Sequence, residues 1–103
     1  MLAQQKKQLK VMKENAEKAS LLLKSLANRQ RLLILCNLAG GEMSVGELNR
    51  FIDLSQSALS QHLARLRADE LVTTRRESQT IYYQLKKGLA ADIIALFYHH
   101  YCA

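Results

Sequence analysis

The sequence predicts a mainly α-helical domain with one small β-hairpin, in the order ααααββα. Three patterns predict it: two capped helices joined by a tight turn over residues 44–68, a hairpin pattern over 71–85, and apolar helices at both ends of the chain. The 103 residues include no proline and only 4 glycines, which favours long helices in a single domain, 1–103. A chain of this size is smaller than one expects for an enzyme with a substrate pocket.

Residues 1–26 are predicted to form one long helix. Apolar residues recur along it with the spacing of a coiled coil, and we call them the α1 seam: Leu2, Leu9, Met12, Ala16, Ala19, Leu23 and Leu26. This spacing favours packing against a partner helix, most simply that of a second copy. The alternative is that the helix packs only on its own domain. Asn28 can then cap a second helix over residues 29–39, with Cys36 on its apolar stripe.

Residues 44–68 have the pattern of a helix-turn-helix. Ser44 and Glu47 have the spacing of a capping box, and Ser55 is a candidate N-cap for the second helix. Three leucines of that helix fall on one face, and the opposite face is small and polar: Leu59, Leu63 and Leu66 against Ser57, Gln61 and Ala64, with Ser60 and Arg65 at its flanks. Glutamine and serine can read base edges in a major groove. The alternative is an ordinary amphipathic helix with a solvated polar face.

Two short runs after this helix, 71–76 and 80–85, are rich in Val, Thr, Ile and Tyr and predict a β-hairpin. A hairpin directly after a recognition helix is a wing, so the predicted fold is a winged helix-turn-helix. Arg75 and Arg76 lie near its tip and could contact phosphates or a minor groove. The alternative is that these arginines only keep the protein soluble.

The last helix, predicted over residues 88–102, is apolar on most of its faces. Its apolar residues cover two sides: Leu89, Ile93, Leu96, Phe97 and Tyr101 on one, Ile94 and Tyr98 on another. Such a helix should not remain exposed. Together with the first helix it predicts a homodimer interface. A symmetric dimer would present two recognition helices to a palindromic operator.

The charge predicts a polyanionic partner, because the chain carries +6 with a pI near 9.6. A membrane surface is the competing polyanion, but no apolar run approaches the roughly 18 residues of a membrane span, and no signal-peptide pattern opens the chain. We therefore expect double-stranded DNA as partner, no membrane binding, and a cytoplasmic location in which the two cysteines are reduced. No phosphate-binding glycine loop or nucleophile motif is present, so we expect neither an enzyme nor a cofactor.

Several runs of residues together resemble those of a known family. The runs at residues 22–35, at 44–48 (Ser-Val-Gly-Glu-Leu) and at 54–66, followed by the wing, resemble the ArsR/SmtB transcriptional regulators over nearly the whole chain. This resemblance implies a dimeric repressor that releases operator DNA when it binds or reacts with an inducer. It also implies DNA-facing roles for four residues, Ser57, Ser60, Gln61 and His62. On a helical wheel His62 lies nearer the core flank, which favours phosphate contact or packing over base reading.

The metal sites usual in this family are missing from the sequence. Where the arsenic and cadmium sensors carry a Cys-x-Cys pair, this chain has Asn49, Arg50 and Phe51. Where the zinc sensors carry Asp-x-His in the last helix, Asp92 is followed by two isoleucines. We therefore predict no metal site of the usual type.

The two cysteines instead match a subgroup with one cysteine in the second helix and one at the C-terminus, here Cys36 and Cys102. The resemblance implies that reactive sulfur species or an oxidant bridge them as a disulfide or polysulfide, which weakens DNA binding. The alternative without a switch is that Cys36 is a small core residue and Cys102 an unrelated terminal thiol. Two further alternatives are a zinc or copper site made by Cys36, His99 and Cys102, and a module that binds only proteins.

Overall fold

The computed structural model describes residues 2–102. They contain five helices and three strands, joined by short turns. In chain order they are α1 (Leu2–Leu26), α2 (Arg29–Leu38), β1 (Met43–Ser44), α3 (Val45–Phe51), α4 (Gln56–Ala68), β2 (Val72–Glu77), β3 (Thr80–Leu85) and α5 (Leu89–Cys102). The predicted winged helix-turn-helix is confirmed, with β1 as an additional strand. None of the helices in residues 2–102 combines the length and the apolar character that crossing a membrane requires.

Side-chain caps fix where three of the helices begin. Asn28 accepts a hydrogen bond of 3.0 Å from the backbone N–H three residues further on, and Ser55 accepts one of 3.1 Å in the same way. Ser44 and Glu47 form a reciprocal capping box at the start of α3, with distances of 3.2 and 3.0 Å. Each cap satisfies backbone donors that a helix start leaves free. The helix-turn-helix is therefore set in position by side chains that the sequence identifies.

The wing is part of a three-stranded antiparallel sheet with the order β1-β3-β2. β2 and β3 pair along their whole length and turn at Ser78, whose φ of 57° is left-handed. Met43 and Ser44 of β1 pair with Tyr83 and Tyr82 of β3. β1 was not predicted, because two residues are too few to produce an alternating pattern. It ties the wing to the residue that caps α3.

The core lies where α2, α3, α4 and α5 meet. Its fully buried large side chains come from all four helices: Ile34, Leu35, Leu48, Leu59, Leu63, Leu66 and Ile94. The predicted leucine face of α4 is confirmed. On α5 the inward face is formed by Ile94 with Ala90 and Ile93. Side chains on the other faces of this helix, such as Leu96 and Tyr101, are exposed.

Most of the α1 seam lies on the surface of the single chain. Leu26 is buried in the core and Ala19 is half-buried, whereas Leu2, Leu9 and Leu23 are exposed. The helix has 25 residues, about 37 Å at 1.5 Å per residue, and the molecule is 56 Å long but only 29 × 22 Å across. The outer half of α1 therefore finds no apolar partner within residues 2–102.

Replacing Leu63, which is fully buried on α4, with alanine should lower the free energy of unfolding by about 2–5 kcal/mol. The loss combines the lost burial of the side chain with the cavity left behind it. Leu33→Ala is the matched control, because Leu33 is 39% exposed, and it should cost less than about 1 kcal/mol. Urea denaturation at one protein concentration measures both. Equal losses in the two variants would contradict the described core.

Candidate nucleic-acid interface and cysteine pair

The exposed face of α4 is small and polar. Ser57, Ser60 and Gln61 are exposed in the first half of the helix, and Ala64 continues the same face. They point outward because the three leucines on the opposite side are fully buried. No large side chain stands between this face and an approaching molecule. A helix of this shape can enter a major groove, where serine and glutamine can hydrogen-bond to base edges.

The other two candidate residues on α4 have different surroundings. His62 is half-buried on the flank of the helix, as the helical wheel indicates. Arg65 is exposed, but its Nε donates to Oδ2 of Asp69 at 3.2 Å. The same carboxylate oxygen accepts a hydrogen bond of 3.4 Å from Ser25 Oγ on α1. Asp69 thus contacts both α1 and α4.

The two wing arginines differ sharply in their contacts. Arg75 donates from Nε to both carboxylate oxygens of Glu42, at 2.8 and 2.9 Å, and from Nη1 to Glu77 at 2.9 Å. Its guanidinium also lies over the ring of Tyr82, 4.5 Å from the centroid. Arg76 is exposed, and within residues 2–102 it has no ion pair. The sequence gives no reason to distinguish the two arginines, whereas in the fold only Arg75 is held by ion pairs within residues 2–102.

Mutual charge keeps both members of the Glu42–Arg75 pair ionised. The hydrogen bond from Arg75 lowers the pKa of the Glu42 carboxyl below its usual range. The hydrogen bonds to Glu42 and then Glu77 raise the pKa of Arg75. Sequence reasoning missed Glu42, because it lies in the turn before β1 and nothing local connects it with the wing. Only the pairing of β1 with β3 brings the two together.

An open groove of about 510 Å³ separates the recognition helix from the wing. Ser60 of α4 lies on one side of it, and Gln79 and Thr80 of the wing lie on the other. Ser44 and Gly46, at the start of α3, line its floor. The groove contains no acidic side chain in its lining. It is therefore open to an anionic strand.

The two cysteines lie in elements that pack against each other, α2 and α5. Cys36 is half-buried, Cys102 is exposed, and both are free thiols. Burial raises the pKa of Cys36, and the negative charge of an ionised Cys102 raises it further. The fold thus packs together the two helices that carry thiols far apart in sequence.

The alternative metal site has no complete set of ligands within one chain. His99 and Cys102 are both exposed on α5. Over residues 2–102, no group of three or more His, Cys, Asp or Glu side chains is arranged to hold a metal ion. The trio Cys36, His99 and Cys102 therefore does not form the predicted alternative site.

Comparison with known proteins gives one consistent family. The family described as "Bacterial regulatory protein, arsR family" matches residues 28–74. The transcriptional activator HlyU of Vibrio cholerae is 52% identical over 91% of this chain and 87% of its own length. The biofilm growth-associated repressor of Agrobacterium fabrum is 44% identical over 92% of this chain and 81% of its own length. The crystal structure of HlyU from Vibrio vulnificus superposes with a TM-score of 0.87 at 56% identity, covering 92% of this chain and 99% of that one.

Replacing Cys102 with serine should lower the pKa of Cys36, because the nearby thiolate charge is removed. The pKa should still remain above that of an ordinary cysteine, because burial persists. The rate of Cys36 alkylation by iodoacetamide as a function of pH, followed by peptide mass spectrometry, measures this. Ala95→Ser, an exposed change on the same helix, should leave the profile unchanged. An identical profile in Cys102→Ser would mean that the sulfurs are not neighbours.

Proposed function

This chain belongs to the arsR family of bacterial regulatory proteins, which bind DNA and regulate transcription and are not enzymes, and we propose that it is a dithiol-switched homodimeric repressor. In its reduced form it holds a palindromic operator. A bridge between Cys36 and Cys102 releases that operator. Similar proteins include both an activator and a repressor, and repression is the simplest result of occupying a promoter.

The observation that carries the DNA-binding part is the polar face of α4. Ser57, Ser60 and Gln61 are exposed there because the opposite leucines are buried, and they match the groups that read a major groove. Half-buried His62 suits contact with a phosphate rather than a base. Arg65 is exposed on the same flank, which favours contact with a DNA phosphate.

The wing supplies the sequence-independent part of the affinity. The groove between α4 and the wing has no acidic side chain in its lining, which favours its occupation by a sugar-phosphate strand. Arg76 is exposed beside it with its charge uncompensated within the described residues. Together with the net charge of +6, this favours binding that weakens as salt rises.

The homodimer is argued from the apolar surface that one chain leaves exposed. The α1 seam and the outer face of α5 carry Leu2, Leu9, Leu96 and Tyr101 in contact with solvent. Apolar surface of this extent on two helices of one chain is best buried against the same helices of a second copy. Two-fold symmetry then sets two recognition helices at a fixed spacing, which is the reason to expect a palindromic operator.

The switch follows from the positions and exposure of the two thiols. Exposed Cys102 meets a reagent first, and half-buried Cys36 then attacks the activated sulfur. With peroxide, the two thiols lose two hydrogens, a disulfide forms, and peroxide is reduced to water. With a persulfide donor, each thiol takes one sulfane sulfur and each donor leaves as a thiol. One protein persulfide then attacks the cysteine sulfur of the other, so that a trisulfide bridge forms and one sulfur leaves as hydrogen sulfide. Because α5 carries both Cys102 and dimer surface, tying it to α2 would shift the two recognition helices relative to each other.

Gln61→Ala should weaken preference for the operator by about 1–3 kcal/mol at one base pair, because a base-edge contact is lost. Arg76→Ala should weaken all duplexes to a similar degree and make the salt dependence shallower. Fluorescence anisotropy with a duplex selected from a random pool, and with single-base variants of it, measures both. An unchanged base preference in Gln61→Ala would contradict the proposed recognition face. Binding of the wild type that is insensitive to salt, or absent, would favour a protein-only module.

Exposure of the reduced protein to a persulfide donor should add the mass of one or two bridging sulfurs less two hydrogens, and release the operator. Peroxide should instead remove two hydrogens. Intact-mass spectrometry and operator binding on the same samples measure these outcomes. Cys36→Ser and Cys102→Ser should each abolish both the bridge and the release. Ser20→Cys in the Cys36→Ser background supplies a control thiol on α1. Release of DNA without any change in mass would contradict the dithiol switch.

A further inference from the structure

The most strongly bonded side chain on the wing is Arg75. Its guanidinium donates to two carboxylates, those of Glu42 and Glu77, and lies over the ring of Tyr82. These contacts leave the side chain about half exposed, with a relative accessibility of 49%. The cluster contains one positive charge, on Arg75, and two negative charges, on Glu42 and Glu77, so its net charge is −1. A phosphate would be repelled from it rather than attracted.

The contacts of Arg75 join the turn before β1 to both strands of the wing, which also packs against α2, α3 and α4. Glu42 lies in the turn between α2 and β1, Glu77 ends β2, and Tyr82 lies on β3. Directly after Glu42, β1 pairs with β3 and ends at Ser44, which caps α3. A change in the Glu42–Arg75 contact should therefore alter the angle between the hairpin and the helix-turn-helix.

We propose that Arg75 is a positioning residue that sets the angle of the wing, and that Arg76 is the wing residue that contacts the DNA backbone. The proposal rests on the proposed DNA-binding function. Arginine suits this role because its planar fork binds both oxygens of one carboxylate while its face stacks on an aromatic ring. Lysine offers a point charge and neither property. The lowered pKa of Glu42 agrees with a contact that is formed at neutral pH.

The salt dependence of DNA binding separates positioning from phosphate contact. Arg75→Gln should weaken binding by roughly tenfold while the slope of log K against log salt stays that of the wild type, because no phosphate contact is lost. Arg76→Gln, the matched control one residue away, should reduce the slope by about 0.9. Arg75→Lys should behave like Arg75→Gln, since charge alone does not restore the fork. Binding near the wild-type level in Arg75→Lys would overturn the proposal.

The effect of Glu42→Ala on DNA affinity should have opposite directions under the two interpretations of Arg75. If Arg75 contacts phosphate, removal of the competing carboxylate should tighten DNA binding. If Arg75 positions the wing, Glu42→Ala should weaken binding by roughly tenfold, and the double variant with Arg75→Gln should be no weaker than either single one. Glu17→Ala on α1 is the control for loss of one negative charge far from the wing. Tighter binding in Glu42→Ala would overturn the proposal.

The measurements use the full chain, with a 30-bp duplex that the wild type selects from a random pool and an unselected duplex of equal length. Stoichiometric titration should find every variant fully competent to bind, because Arg75, Glu42 and Arg76 are surface residues. A fall in the competent fraction that accounts for the whole loss of affinity would mean that Arg75 only maintains the fold, and would also overturn the proposal. If the wild type binds neither duplex, the proposed function fails. If the wild type binds and Arg75→Gln reduces the slope of log K against log salt by about 0.9, only the positioning role fails.

Discussion

Burial of the leucine face of α4 is the constraint on which the DNA-binding surface depends. Leu59, Leu63 and Leu66 are fully buried against α2, α3 and α5, so the helix cannot rotate without exposing them. Each such leucine contributes about 2 kcal/mol through burial alone. The orientation of Ser57 and Gln61 toward solvent is therefore a consequence of core packing.

The same core connects the recognition helix to the cysteines. Ile34 and Leu35 of α2 and Ile94 of α5 lie in one cluster with the α4 leucines. Closely packed interiors transmit displacement, because their side chains have few alternative arrangements. A covalent bridge that moves the end of α5 relative to α2 therefore acts on a helix, α2, that packs against α4. On the surface, Asp69 adds a polar connection between α1 and the end of α4.

Features carried by neighbouring residues could be predicted from the sequence, and features formed between distant residues could not. The caps at Asn28, Ser44 and Ser55 and the leucine face of α4 have strong local patterns, and all are present. The strand β1 is too short to produce a pattern, and the Glu42–Arg75 contact joins residues 33 positions apart. The four resemblance-based positions on α4 stay predictions, as do the roles of Arg65, Arg75, Arg76 and the two cysteines. The fold supplies their surroundings, and binding experiments must supply their roles.

The central claim, that the thiol pair and the operator are coupled, has a direct thermodynamic test. Binding free energies are reciprocal: if a Cys36–Cys102 bridge weakens operator binding, then the operator must disfavour the bridge by the same factor. The measurement is the fraction of bridged protein in glutathione buffers of graded redox potential, with and without saturating operator. If the two are coupled, operator should raise the reduction potential of the pair by about 30 mV for each tenfold difference in affinity. The Gln61→Ala protein with an unselected duplex should show a smaller shift. An identical potential with and without operator would contradict the account.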